Sequence, residues 1–298
     1  MQAHMSAPNK DLDPSDLVSP AARPTINELR TRAAGHTHVG NVRKTNEDQF
    51  FIGEVMSAIQ VTEASLCPNR LYLGPAPLGL LIVADGMGGH AGGEHASALA
   101  ISAVEGFILR ALGHVGTLGI QGAPDLLRAS FEIADDSVIE ASQASASLSG
   151  MGTTMTVALV GGSEAHIAHA GDSRAYLFRD GTLSRFTRDH TVAEAMNAGG
   201  TPGSAKPEHE ALRHMVTNAV GGGTPGVSPD LTRTDVRAGD RLLLCTDGLT
   251  NMINDDTIAE ILTEHNDPKA ASKQLVEAAL TKGGQDNVTA LVANFDPT

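Results

Sequence analysis

Tryptophan is absent, and aromatic residues together make up only 3% of the 298 residues. The interior must therefore be built from Ala, Val, Ile and Leu, within a hydrophobic share of 41% that is ordinary for a globular chain. Cysteine is nearly missing. Cys67 and Cys245 are the only two, and they lack zinc-ligand spacing. A disulfide-framed scaffold is excluded, and a reducing, cytoplasmic setting is the natural reading. No apolar run reaches the roughly 18 residues that a membrane-spanning helix needs, and the N-terminal stretch has no apolar core of the kind a secretory signal carries. Basic residues are also few: 21 Lys and Arg face 35 Asp and Glu, a net charge of -14. Such a surface repels nucleic acid and anionic lipid, so neither is expected as a partner. A monomer is expected, and the length suffices for a core without covalent staples.

Residues 1–27 are polar and proline-bearing, and read as a flexible leader. Residues 28–298 read as a single folded domain. The run Leu80–Ala84 predicts a strand ending at Asp85, and Met155–Val160 predicts one after a Gly-Thr-Thr turn. Strands are also expected over 165–170, 174–178, 241–246 and 288–295, with Asp180-Gly181 as a hairpin turn. Ile101, Val104, Ile108 and Leu112 recur at helical spacing, as do Leu127, Phe131, Ala134 and Val138. A last helix is signalled by Asp267 as N-cap, Pro268 in the first turn and Gly283 as stop. Hairpin-like connections outnumber βαβ alternation, which favours an α+β architecture over a doubly wound sheet. The stretch 191–223, rich in Gly, Pro, Ala and Glu, reads as a mobile excursion from the sheets.

The chemistry lies in where the carboxylates fall. Asp85 and Asp247 each follow an apolar strand and precede glycine. Asp286 lies just before the final strand, Glu47-Asp48 before another apolar segment, and Asp172 in a tight turn between two strands. Any one of them is an ordinary turn residue. Five acidic sites at strand boundaries together suggest a hard-cation site, because carboxylate oxygens are the ligands Mg²⁺ and Mn²⁺ prefer, and clustered carboxylates repel one another unless cations neutralise them. Other chemistries are missing their parts. Neither cysteine is followed by a phosphate-cradling loop ending in Arg. The glycine-rich run 85–90 lacks the P-loop lysine, and there is no Gly-x-Ser-x-Gly elbow or His-Glu-x-x-His.

An ordered set of motifs resembles the metal-dependent (PPM, or type 2C) serine/threonine protein phosphatases, in their compact bacterial form. The set comprises Gly40-Asn41-Val42-Arg43 with Asn46-Glu47-Asp48, Val83-Ala84-Asp85-Gly86-Met87-Gly88-Gly89, Gly152-Thr153-Thr154, Gly171-Asp172-Ser173-Arg174, Thr187-Arg188-Asp189-His190, Leu244-Cys245-Thr246-Asp247-Gly248-Leu249 and Asp286-Asn287-Val288-Thr289. The resemblance implies a four-layer αββα sandwich, two antiparallel sheets flanked by helices. It implies two core cations, Mg²⁺ or Mn²⁺, one held by Asp85, Asp247 and Asp286 and the other by Glu47, Asp85 and the carbonyl of Gly86. Asp172 with Asp247 would form a weaker third site. Arg43 would grip the substrate phosphate, so that Arg43, Asp85 and Asp247 are the expected catalytic residues. The implied activity is hydrolysis of phosphoserine and phosphothreonine by a metal-activated water. The implied partners are phosphorylated proteins, products of a cognate kinase, and the segment from Thr191 would form a flap. Animal members carry a His where this chain has Met87, so the general acid is left open between His90 and a metal-bound water. Asp48, Asp189 and His190 are expected to order loops. Two rivals are a non-catalytic binding module, opposed by the complete ligand set, and a two-metal phosphodiesterase or nuclease, opposed by the acidic charge.

Overall fold

The computed structural model describes residues 29–55, 58–60, 71–73, 78–88, 90–114, 120–198, 212–223 and 226–298. The expected leader, Cys67 and the middle of the 191–223 stretch lie outside them. The chain opens with β1 (Leu29–His38), β2 (Asp48–Val55), β3 (Ala58–Gln60), β4 (Leu71–Leu73) and β5 (Leu78–Met87). Two long helices follow, α1 (His90–His114) and α2 (Ala123–Ala144), then β6 (Gly152–Gly161), β7 (Glu164–Ala170), β8 (Arg174–Arg179) and β9 (Thr182–Arg185). Next come α3 (Val192–Ala198), β10 (Val220–Gly221), β11 (Asp230–Asp235) and β12 (Arg241–Cys245). The chain ends with α4 (Asp247–Thr250), α5 (Asp255–Glu264), α6 (Pro268–Thr281) and β13 (Val288–Pro297).

The strands form two main sheets, ordered β1-β13-β12-β8-β9 and β11-β7-β6-β5-β2, with β10 added to β6 and a separate β3-β4 ribbon. Every pairing is antiparallel. Period-2 alternation sorts each strand between two cores. Leu81, Val83, Leu242, Leu244, Leu291 and Ala293 meet between the sheets. Leu80, Ile82 and Ala84 face outward onto α1 and α2. Leu243, Cys245 and Val292 face outward onto α5 and α6. Helix, sheet, sheet and helix thus form the four layers expected. Because each sheet is covered on both faces, its central strands read as unbroken apolar runs, and all ten residues of β6 are buried.

Several boundaries differ from the sequence expectation. Gly152-Thr153-Thr154 is strand, not turn, because it pairs with Asp85–Met87. Strand β5 likewise runs two residues past Asp85. Helix α1 starts well before the apolar repeat, in a glycine-rich turn with little helical signal. Asp180 (φ 51°) and Gly181 (φ 79°) form the expected hairpin turn, whose two central residues both need positive φ. At α6, Asp267 accepts from the amide of Ala270, as an N-cap should.

Candidate metal centre

The candidate residues gather at one end of the sandwich, where the rims of both sheets border a cleft of about 390 Å³. Arg43, Glu47, Asp85, Gly86, Asp172, Asp247 and Asp286 all line it. Strand β5 delivers Asp85, whose cross-strand neighbours are Asp48 on β2 and Thr154 on β6. From the other sheet, β12 ends at Cys245, and Asp247 opens α4. Asp247 is therefore a helix-start residue, not the turn residue that an Asp-Gly pair suggests. Asp286 leads into β13, and Asp172 sits between β7 and β8.

The motif residues around these acids are their scaffolding. The hydroxyl of Thr153 donates to the carbonyl of Asp85 (2.8 Å), and the amide of Asp85 donates to the hydroxyl of Thr154 (3.2 Å). That hydroxyl also meets Ser173 Oγ at 2.7 Å, tying the Asp172 turn to β6. Asn287 holds the loop that carries Arg43 and Glu47. Its Nδ2 donates to the carbonyls of Val39 and Thr45 (2.9 Å each), and its Oδ1 accepts from the amide of Glu47 (2.8 Å). The carbonyl of Glu47 accepts from the amide of Gly86 (3.2 Å) and from Ser97 on α1 (2.7 Å). Glycine is required here: a Cβ on Gly93 would overlap the Glu47 carboxylate, and one on Gly86 would overlap the carbonyl of Gly93.

The electrostatics are those of crowded acids. Burial pushes Asp85 well above the usual carboxylate range, and repulsion from Asp48, Asp247, Asp172 and Asp286 adds to the rise. Asp172 is pushed up to about 7, by burial first and then by Asp247 and Asp189. Asp48 is also pushed up to about 7 by burial, although the hydroxyls of Thr289 (2.7 Å) and Thr246 (2.8 Å) both donate to its Oδ2. Two basic side chains face this charge. Arg43 Nη2 lies 2.7 Å from Asp286 Oδ2, and His214 Nδ1 lies 3.8 Å from Asp247 Oδ2. The pairing with Asp247 raises the pKa of His214.

Asp247 gives a direct test of whether a cation fits. Its Oδ2 accepts from Asn251 (3.0 Å), but its Oδ1 is buried with no hydrogen-bond partner. A carboxylate oxygen in that position costs stability unless a cation satisfies it. Among the described residues, no three His, Cys, Asp or Glu side chains stand close enough together to hold a metal ion as they are placed. The acids ring the cleft, and the donor set, all oxygen, is that of a hard divalent ion.

Sequence reasoning missed two contributors: Asn287 anchors the loop, and His214 lies near Asp247. Asp48, expected to order a loop, is buried and accepts from Thr246 and Thr289. Asn287 stands beside Asp286 in its motif, so its signal was present without a role attached. His214 had no local signal. Asp189 accepts two hydrogen bonds from Arg174 (3.0 and 2.7 Å) and a contact from Arg185. His190 accepts at Nδ1 from the amide of Gly171 (3.2 Å), and its Nε2 meets Asp230 at 3.1 Å. The side chain of His90 lies outside the described residues.

The chain is similar to known proteins in both sequence and fold. The family model of Protein phosphatase 2C matches residues 75–282. The serine/threonine protein phosphatase PstP of Mycobacterium tuberculosis is 35% identical over 269 residues, covering 89% of this chain and 45% of that protein. The chain thus spans less than half the length of that relative. The serine/threonine phosphatase stp of Listeria monocytogenes is 30% identical over 223 residues, covering 74% of this chain and 85% of that protein. Among solved structures, the catalytic domain of PstP in complex with two manganese ions superposes with a TM-score of 0.70 at 34% identity, over 90% of this chain and 99% of that one.

Proposed function

This chain belongs to the protein phosphatase 2C family, and we propose that it is a metal-dependent serine/threonine protein phosphatase whose core ions are Mg²⁺ or Mn²⁺. The observation that carries this reading is the convergence of Asp85, Asp172, Asp247 and Asp286, with Glu47 and Arg43, on one cleft, where Asp247 presents a buried oxygen without a partner. In this assignment Asp85, Asp247 and Asp286 hold one cation. Glu47, Asp85 and the Gly86 carbonyl hold a second, and Asp172 with Asp247 offers a weaker third place. Divalent cations bound there would supply Lewis acidity and a water of lowered pKa.

The chain's own residues do the rest. Arg43, on the rim of the cleft, has a planar guanidinium that can give two hydrogen bonds to phosphoryl oxygens. It is half exposed and already oriented by Asp286. Asn287 and Thr153 fix the loop and strand that place Glu47 and Asp85. The proposal extends to phosphoproteins made by a cognate kinase as substrates, and to a monomer acting in the cytoplasm. The acidic charge opposes nucleic acid as a partner, and no helix among the described residues is long and apolar enough to cross a membrane.

The test is hydrolysis of p-nitrophenyl phosphate and of a phosphothreonine peptide with MnCl₂, with MgCl₂ and with EDTA. Phosphate release that requires metal and stops with EDTA is expected. Folded protein inactive with every metal would overturn the reading in favour of a binding module, and preference for a phosphodiester would favour the nuclease alternative. A second expectation concerns Arg43→Ala. KM for phosphopeptide should rise roughly ten- to a hundredfold, the worth of a charge-assisted pair of hydrogen bonds. Manganese affinity should hold or tighten slightly, because Asp286 loses a competing partner. An unchanged KM would remove Arg43 from the phosphate site.

A further inference from the structure

A second cavity, of about 470 Å³, opens beside the cleft and shares Asp172, His214, Asp247 and Asp286 with it. Its far wall differs in kind from the acid cluster, because Arg174, Arg185 and Arg213 line it together with Asp189, Glu194 and Thr191. Arg174 is spent: its Nε and Nη2 bond the two oxygens of Asp189, and its Nη1 bonds the Tyr176 hydroxyl at 3.2 Å. Among the described residues, the hydrogen bond of Arg185 is through Nη2 to the same Asp189, which leaves the rest of its guanidinium fork available. One carboxylate thus stands between two guanidiniums. The three side chains are 22%, 16% and 31% exposed for Arg174, Asp189 and Arg185, so the excess positive charge is only partly screened by solvent. A further cavity, which shares Met87 and Val216 with the cleft, is lined among the described residues by uncharged side chains, with Gly150, Gly152, Thr217, Asn218, Gly222 and Val227 among them. The two cavities that adjoin the cleft are electrostatically unlike, in a protein whose net charge is -14.

Resting on the phosphatase reading above, we propose that the Arg174–Arg185–Asp189 lobe is a substrate subsite for an anionic side chain near the scissile phosphoresidue, with Arg185 as its specificity-determining residue. The anion is a carboxylate or a second phosphate. Either takes the free edge of the Arg185 fork, while Asp189 holds that fork in place and prevents the two arginines from repelling each other apart. Glu194, on the same wall, disfavours an anion approaching from the α3 side and so narrows the approach to the Arg185 side. The uncharged neighbouring cavity offers an anion no comparable partner among the described residues.

The experiment uses the full chain with saturating manganese and four phosphothreonine peptides. One has neutral flanks, one has glutamates on the N-terminal side, one has glutamates on the C-terminal side, and one has a second phosphothreonine on the side that glutamate favours. One of the two glutamate peptides is expected to exceed the neutral one in kcat/KM by about five- to tenfold, the range of a single charge-assisted contact at a partly exposed site. The second-phosphate peptide distinguishes a carboxylate site from a phosphate site by exceeding the glutamate peptide or not. In Arg185→Gln the preference should fall to near unity, with p-nitrophenyl phosphate hydrolysis unchanged because that substrate does not reach the lobe. In the unaltered protein the preference should also shrink with added salt, a readout that needs no variant. Equal rates for all four peptides, a preference that Arg185→Gln leaves intact, or one indifferent to salt would overturn the proposal while the phosphatase reading stood. Absence of metal-dependent hydrolysis of p-nitrophenyl phosphate itself would remove that reading and the subsite together.

Discussion

Asp247→Asn is expected to lower kcat/KM for p-nitrophenyl phosphate by well over a hundredfold at saturating manganese, and at the same time to raise the melting temperature of the metal-free protein. The first effect follows from the assignment of Asp247 to more than one cation. Losing even an outer partner of a metal site typically costs about 10- to 100-fold, and a shared direct ligand costs more. The second follows from the electrostatics of the cleft. Asp247 repels Asp85, Asp172 and Asp48, and its own Oδ1 is buried without a donor. Asparagine keeps the shape and can retain the contact with Asn251, but removes the charge. Relief of about 1 kcal/mol is reasonable for a partly buried like-charge cluster, and raises Tm by roughly 2–4 °C in a domain of this size. Calorimetry with and without manganese, alongside kinetics, reads both effects. Near wild-type turnover would refute the metal role. A lower metal-free Tm would show that Asp247 contributes to the fold by something other than its charge.

Asn287→Ala should be the most destabilising single change at the site, although Asn287 need touch neither metal nor substrate. Three backbone groups depend on its amide: the carbonyls of Val39 and Thr45 and the amide of Glu47. The residue is 5% exposed, so water does not readily replace those bonds. Leaving such groups unsatisfied costs about 2–4 kcal/mol in total, or roughly 5–10 °C in Tm. The loop would also lose its anchor, so manganese binding through Glu47 should weaken about 10- to 100-fold. Thermal melts and manganese titration measure the two losses. A Tm within a degree of wild type would mean that the loop is held by other contacts, such as the bond from Asn41 to the carbonyl of Leu280 at 2.9 Å.

Much of the architecture was legible from local pattern. The runs LLIVA and RLLLC are strands because burial on both faces, against the other sheet on one side and helices on the other, demands unbroken apolar sequence, and α6 announces both of its ends with Asp267, Pro268 and Gly283. Legibility failed where the determinant was a partner far along the chain. Asp85 reads as the end of a strand, yet pairing with Thr154 carries the strand on to Met87. The start of α1 was illegible because Gly92 and Gly93 are poor helix formers; Gly93 is there to admit the Glu47 carboxylate.

The site divides in the same way. The sequence by itself determined the chemistry on offer: an excess of carboxylates at strand boundaries, an arginine four residues before Glu47, and no cysteine or P-loop alternative. Those choices are written in residue types and short spacings, which need no fold to be read. The tertiary structure decided which of the acids meet. Asp48 receives a hydroxyl from Thr289, 241 residues away, and Arg43 reaches Asp286 across 243. No local periodicity encodes such distances; they follow from the register of two sheets packed face to face. The same packing set the arginine lobe beside the cleft.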